Sequence, residues 1–406
     1  MTPSRSAGAA DLVVVGGGVM GLFTAYHASE RSERVVVLER GRIGDPATAS
    51  FGRTRSFRND YLDAAYARLA HEAFRLWREF EARTGTSVLV QCGCMNIGKR
   101  SVTPDLERTY AHLSHATLTR LGLPTESLDA DALQRRFPHV EADMARLDVE
   151  AGVVDVGAAT GALRQVLDDR GVQVLEGVDT TAVTRNEDGA FRVVTDAGEL
   201  TARSLVVTAG HGTNDVLAQV PGCGLQVPIS RDRPSEAKYF VPSADIRSRF
   251  TAEAMPVIAY LDAGIYCHPI VEGLVDAVKI GYYNPPDMPR GSTSIDSIAS
   301  FLEQCMPVLR EAEATDVADV DQCDYDLVAD DEFVLGAIPG VPSAFVGVGW
   351  RGTGYKFAPW VGRVLAQLAL QGGTVYDIVR FDPSRFEEGR ATHEPAVAED
   401  AAAASH

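Results

Sequence analysis

At 406 residues the chain exceeds the size at which one hydrophobic core keeps growing, so two lobes are expected. Hydrophobic residues at 45% and charged residues at 23% are ordinary for a globular protein. The formal charge of −18, from 38 basic and 56 acidic side chains, argues against nucleic acid and against an anionic membrane surface, both of which need a basic footprint.

Residues 1–10 and 389–406 are rich in Ala, Ser, Glu and Pro and read as disordered tails. The first ten residues contain no apolar core of signal-peptide length, and no apolar run approaches a membrane span, so a soluble, cytoplasmic protein is expected. Between the tails, Asp11 to Val15 is a short apolar strand that runs into Gly16-Gly17-Gly18-Val19-Met20-Gly21. A helical pattern follows to about Ser29, and a second apolar strand from Arg34 to Leu38 ends at Glu39, giving one βαβ unit. Tyr66, Leu69, Ala73, Trp77 and Phe80 recur at helical spacing, which predicts an amphipathic helix over 61–83 ended by Thr84-Gly85. Residues 105–122 and 129–137 read as two more helices, the second stopped by Pro138. Beyond Gly171, strands are predicted at 172–174, 178–183, 191–195 and 205–208, with turns at Asp188-Gly189 and Ala197-Gly198, as a meander that returns to a parallel strand. Several strands are expected in 225–285 and a helix at 294–306. Strands at 333–338 and 345–348 then precede a helix from about Tyr355 to Leu370 capped by Gly372-Gly373.

Two features carry chemistry on their own. Gly16-x-Gly18-x-x-Gly21 stands directly after a strand and opens a helix, where glycines let backbone N–H groups approach a pyrophosphate. Glu39, at the end of the next strand, is placed to accept from a ribose hydroxyl and disfavours a 2′-phosphate. The turn does not separate a flavin from a nicotinamide dinucleotide. The six cysteines, Cys92, Cys94, Cys223, Cys267, Cys305 and Cys323, contain no CxxC pair, so reduced thiols and no metal site are expected.

Five ordered segments extend the pattern. Ser50-Phe51-Gly52-Arg53-Thr54-Arg55-Ser56-Phe57-Arg58 follows the βαβ unit; Leu205-Val206-Val207-Thr208-Ala209-Gly210 and Ala277-Val278-Lys279-Ile280-Gly281-Tyr282 come next. Cys323 then lies ten residues before Phe333, and Gly352-x-Gly354-Tyr355-Lys356-Phe357 closes the series. Together they resemble the monomeric sarcosine oxidase family of FAD-dependent amine oxidases, in the D-amino acid oxidase superfamily, from about residue 11 to residue 372. The resemblance implies an α/β fold: an FAD-binding Rossmann-like lobe of the glutathione-reductase type, interleaved with an α+β substrate lobe on a large mixed sheet. Residues 11–85, 150–220 and 325–385 would form the first lobe, and 86–149 and 221–324 the second.

The same resemblance implies roles. Cys323 would carry the flavin covalently through a thioether, although a free cysteine is most often an inert, half-buried thiol and the carboxylates beside this one oppose a thiolate. Lys279 would sit near the flavin and help O2 take electrons; a lysine in an apolar alternating strand can otherwise be an edge-strand gatekeeper. Lys356, opening a helix where the dipole disfavours a cation, would share the substrate carboxylate with Arg58, which could instead be a solvated loop arginine. Arg55 would meet the flavin ring, and Tyr266 and Tyr283 would be pocket walls, although such aromatics are more often simply core or surface. Gly16, Gly18, Gly21, Glu39, Arg40, Val178, Gly352 and Gly354 complete the cofactor set.

The implied reaction is hydride transfer from the α-carbon of an amino or imino acid to flavin N5, followed by reoxidation with O2 to give hydrogen peroxide and an imine, in a monomer. Phe51 and Tyr283 stand where sarcosine oxidases carry histidine, and Trp350-Arg351 replaces smaller residues. A bulkier or cyclic substrate therefore fits better than sarcosine. Two other readings stay open: an amine dehydrogenase using an acceptor other than O2, and a non-catalytic flavin-binding subunit.

Overall fold

The computed structural model describes residues 10–230, 236–282, 293–315 and 325–386. Tyr283, Cys323 and both tails lie outside the described residues. The strand Ala10–Val15 is buried along nearly its whole length, the mark of a central parallel strand covered on both faces. It pairs in parallel with Val35–Glu39 on one side and with Gly198–Val207 on the other. Val35–Glu39 pairs in turn with Gln173–Glu176, and Leu205 to Val207 pair in parallel with Ala344–Val348. Thr180–Arg185 and Phe191–Thr195 extend this eight-stranded sheet as an antiparallel meander. The helix Val19–Ala28 packs against it with all ten residues buried, and it shares one hydrophobic core with Ala64–Thr84 and Ala358–Gln371.

A second eight-stranded sheet runs Glu313–Thr315, Glu236–Val241, Val278–Tyr282, Ile265–His268, Val257–Tyr260, Cys94–Gly98, Met144–Asp148 and Thr125–Asp129. Of its pairs, Val257–Tyr260 with Cys94–Gly98 is parallel and the others described are antiparallel, so the sheet is mixed. It has its own apolar core around Ile258, Ile265, Ile280 and Phe301. A small sheet of Thr54–Phe57, Gly152–Asp155 and Leu89–Val90 stands beside both. Among the described residues no helix is long and apolar enough to cross a membrane.

Several local expectations shift. The helix predicted over 61–83 is Ala64–Thr84, because Asp63 caps it by accepting from the amides of Ala65 and Tyr66, which leaves Tyr61 outside. Gly85 at φ 69° ends it as expected. Lys356 does not open an α-helix; it lies in a 3₁₀ turn, Gly354–Phe357, ahead of Ala358–Gln371 with Pro359 in its first turn. Gln173–Glu176 is not part of the meander but the outer parallel strand beside Val35–Glu39. The helix Val156–Asp169 and the strands Cys94–Gly98, Met144–Asp148 and Gly152–Asp155 were not anticipated, although Val156, Ala159, Leu163 and Leu167 of the helix recur at helical spacing and are buried.

Candidate active site

The glycine turn has the geometry a dinucleotide needs. Gly16 adopts φ 108°, and a Cβ there would lie 2.4 Å from the Thr208 carbonyl oxygen, so only glycine lets the turn pass this close to the neighbouring strand. A Cβ on Gly21 would meet the Gly16 carbonyl at 1.9 Å. Glu39 accepts from the amides of Gly17 and Gly41, both at 2.8 Å, and keeps lone pairs for a ribose hydroxyl. Gly17, Gly18, Val19, Glu39, Ser50 and Phe51 are among the residues lining a cavity of about 270 Å³ at the helix N-terminus. Ser50 Oγ accepts from Val19 N at 3.0 Å, which puts its hydroxyl at the helix N-terminus that borders this cavity. Sequence reasoning missed Ser50, thirty-one residues from its partner. Arg40 packs over Gly212, and Val178 donates its amide to the Glu39 carbonyl at 3.0 Å, both next to this strand end.

A second constellation is built from Arg58, Asp60, Tyr61 and Lys356. The Arg58 side chain, 14% exposed, donates from Nη1 to Asp60 Oδ1 at 2.7 Å and to the Asp60 carbonyl at 2.9 Å. Its guanidinium stands 4.7 Å from the Tyr61 ring centre and 5.9 Å from that of Tyr110. Lys356, 6% exposed, donates from Nζ to the Tyr61 hydroxyl at 3.1 Å and to the Thr353 carbonyl at 3.0 Å; the Tyr61 hydroxyl also meets Thr353 Oγ1 at 2.9 Å. Tyr61 therefore bridges the two cations, ring to Arg58 and hydroxyl to Lys356.

Titration follows from this packing. Burial lowers the Lys356 pKa, with Arg58 adding to the shift and Tyr61 and Asp60 opposing it. Burial alone would raise the Tyr61 phenol, but Lys356 and Arg58 outweigh it and hold the phenol below its ordinary value. Burial raises Asp60 despite Arg58, and it pushes Asp148 up to about 7 with Asp60 adding repulsion. Asp148 is held by Asn59, whose backbone amide donates to it at 2.6 Å, one residue along the chain from Arg58.

The third group lies at the second sheet. In the strand Thr54–Phe57, Arg55 donates to the carbonyls of Thr54 at 3.2 Å and Phe51, while Thr54 and Ser56 turn to His268. His268 is register partner to Lys279 across the antiparallel pair, and both are buried, at 2% and 3% exposure. Tyr266, two residues along, brings its ring to 5.4 Å from His268 and 5.7 Å from Lys279 Nζ. That ring lies flat on Gly281, where a Cβ would stand 2.1 Å from it. Arg55, Tyr266 and Lys279 thus gather around His268, which, with Thr54 and Ser56, was not anticipated.

The turn before Lys356 is shaped by a buried acid. Asp326 accepts from the amide of Gly349 at 3.0 Å through Oδ2, its carbonyl accepts from Arg351, and burial raises its pKa to about 7. Gly352 at φ 68° lies under the Tyr325 ring, which a Cβ would strike at 2.6 Å. Trp350 packs edge-on against Phe333, and Arg351 turns to Asp331 and to the Tyr66 ring. The chain two residues past Cys323 is thereby held against the Gly352–Gly354 turn.

These features match a family. The family model described as DAO, FAD dependent oxidoreductase, covers residues 11–368. The chain belongs to the DAO family of FAD-dependent oxidoreductases. It is 28% identical to human peroxisomal sarcosine oxidase over 396 residues, 93% of this chain and 96% of that protein. It is 29% identical to a monomeric sarcosine oxidase of Streptomyces avermitilis over 391 residues, 92% and 97% of the two chains. Among solved structures, L-proline dehydrogenase from P. horikoshii superposes with a TM-score of 0.77 at 20% identity, over 94% of this chain and 99% of that one. The expected fold class, an FAD lobe interleaved with a mixed-sheet lobe, is that of the family.

Proposed function

We propose that this DAO-family enzyme oxidises the CH–NH bond of an amino or imino acid that bears one carboxylate, a secondary or cyclic amine, and returns the electrons to O2. The observation that carries the reading is the Arg58–Tyr61–Lys356 bridge beside the Gly352–Gly354 turn. Arg58 and Asp60 cancel one another, and Lys356 leaves one positive charge for a single substrate carboxylate. Holding that carboxylate at two points orients the α-carbon C–H, which is positional catalysis. The backbone around Gly16, Gly18 and Gly21, with Glu39 and Ser50, would hold the dinucleotide. Arg55 would meet the ring, and the amides of Gly352 and Gly354 would face its electron-rich edge. FAD, when bound, supplies the two-electron acceptor for the α-hydride. Lys279 would place a buried positive charge where O2 is reduced, and Tyr266 and Tyr283 would wall the pocket.

Cys323 would link the flavin covalently. The Tyr325–Gly352 contact supports this by bringing the adjoining chain to the flavin-side turn. The names of the sarcosine oxidase relatives support an amine substrate and a monomer, and the acidic sequence, with no CxxC pair, supports a cytoplasmic site of action.

An absorbance spectrum of the purified protein before and after acid precipitation tests both cofactor claims. Yellow colour kept in the pellet, and lost in Cys323→Ala, is expected; flavin in the supernatant removes Cys323's role. Anaerobic bleaching by cyclic and N-methyl amino acids should follow, with peroxide formed on adding air. Bleaching without peroxide would point to another electron acceptor, and no bleaching by any amine would defeat the reading.

A further inference from the structure

His268 is held in an unusual way. Its Nδ1 meets Thr54 Oγ1 at 2.8 Å and its Nε2 meets Ser56 Oγ at 2.7 Å, on a ring only 2% exposed. A neutral imidazole has one N–H and one bare nitrogen, and a structural histidine is normally fixed in one tautomer by a carbonyl or carboxylate. Here both partners are hydroxyls, each able to donate or accept. Either tautomer is therefore fully satisfied, and the proton can sit at either end. Burial, with Lys279 and Arg55 adding to it, depresses the imidazole pKa well below its ordinary value, so the ring stays neutral. The ionisable groups facing it are Lys279 from the adjoining strand, Tyr266 from its own strand and Arg55 from the strand Thr54–Phe57. Ser56 is half-buried and Thr54 is 1% exposed, so the chain of three joins an accessible hydroxyl to a sealed one.

We propose that Ser56, His268 and Thr54 form a proton relay serving the Lys279 side of the site, with His268 as its positioning residue. The proposal rests on the oxidase reading above. In that reaction a protonated secondary amine loses one N–H proton to the protein and then the α-hydride, leaving an iminium. O2 takes up the hydride and one further proton to become hydrogen peroxide. One proton leaves and one enters per turnover, so the relay runs once in each direction. At each passage one hydroxyl takes a proton from outside the relay, from the reacting amine at the Thr54 end or from solvent at the Ser56 end, as it gives its own to the bare nitrogen. The other nitrogen gives its proton to the second hydroxyl, which releases its own outward at the far end, to solvent or to the forming peroxide. The imidazole is never doubly protonated, and the second passage restores the first tautomer.

The test uses the FAD-loaded enzyme, reduced with dithionite so that no amine is needed, and mixed with O2 in H2O and in D2O. His268→Gln keeps a donor and an acceptor but cannot pass a proton. It should slow reoxidation by about 10- to 100-fold and abolish the solvent isotope effect. Ser56→Ala leaves the Thr54 contact intact and should do the same, should His268→Gln not fold. As a readout independent of turnover, ¹⁵N spectra of His-labelled enzyme should show His268 neutral, with tautomer populations that Ser56→Ala shifts. Wild-type rates and isotope effects in both variants, or one fixed tautomer unmoved by Ser56→Ala, would overturn the relay. If the wild-type enzyme itself does not react with O2, the oxidase reading fails, and the relay, with nothing to feed, falls with it.

Discussion

Two buried lysines sit in different surroundings, and the proposed reading gives them different work. Lys356 sits in a group of mixed sign, with Tyr61 and the Thr353 carbonyl as direct partners and the Arg58–Asp60 pair behind them. Lys279 sits on a sheet face, opposite a histidine kept neutral and beneath an aromatic ring. A pre-paired cluster can accept one anion without leaving a charge stranded, which suits reversible binding of a carboxylate. A cation buried on a sheet face beside a neutral imidazole and an aromatic ring would suit charge that arises during reaction. The contrast teaches that burial of a lysine does not by itself assign its role; the sign of its neighbours does.

The contrast breaks most visibly by removing each ammonium in turn. Lys356→Met should weaken binding of a carboxylate inhibitor by about 100-fold, ~3 kcal/mol, measured by titrating the flavin spectrum, while reoxidation of chemically reduced enzyme stays unchanged. Lys279→Met should do the reverse, sparing flavin reduction and crippling reaction with O2 in stopped flow. Equal effects on both measurements would erase the distinction.

Tyr61→Phe sharpens it further. Loss of the hydroxyl strips Lys356 of one of two acceptors but leaves the ring over Arg58, so inhibitor binding should weaken about tenfold with the reoxidation rate untouched. The carboxylate affinity should also fall with rising pH earlier than an ordinary lysine would dictate, because burial lowers the Lys356 pKa. Lys356→Arg should remove that alkaline limb.

The last test reads stability rather than binding and concerns two buried acids on the Lys356 side, Asp148 next to Arg58's neighbour Asn59 and Asp326 in the turn before Lys356. Asp148 and Asp326 have folded pKa values of about 7, above the ordinary 3.8, so the folded state binds more protons than the unfolded between those values. Their contribution to stability is full below pH ~4 and is lost as pH rises to ~7. Asp148→Asn and Asp326→Asn should each flatten that part of the stability curve, by ~2–4 kcal/mol over the window, as read by urea unfolding at several pH values. An unchanged slope would mean that neither carboxylate is protonated in the folded protein.

Much of this was legible from short-range pattern. The turn at Gly16 to Gly21, Glu39 at the strand end, the helix ended by Gly85 and the strand around Lys279 all follow from spacing within a dozen or two residues. The glycine at 281 was legible as part of a motif, but its reason, the Tyr266 ring lying on it, was not. Lys356 was read as opening its helix because a 3₁₀ turn often leads directly into the N-terminus of an α-helix, and local pattern does not separate the two.

What tertiary packing alone decided is the set of partners. Thr54 and Ser56 meet His268 across 214 and 212 positions of chain, and Tyr61 meets Thr353 and Lys356 across 292 and 295. Hydroxyls and phenols have no spacing rule that announces such contacts. Their position is set by which sheets stack and in what register, and that depends on the summed burial of whole cores. The glycines and cations that name the chemistry were thus written locally, while the groups that tune them were assembled only when the two sheets came together.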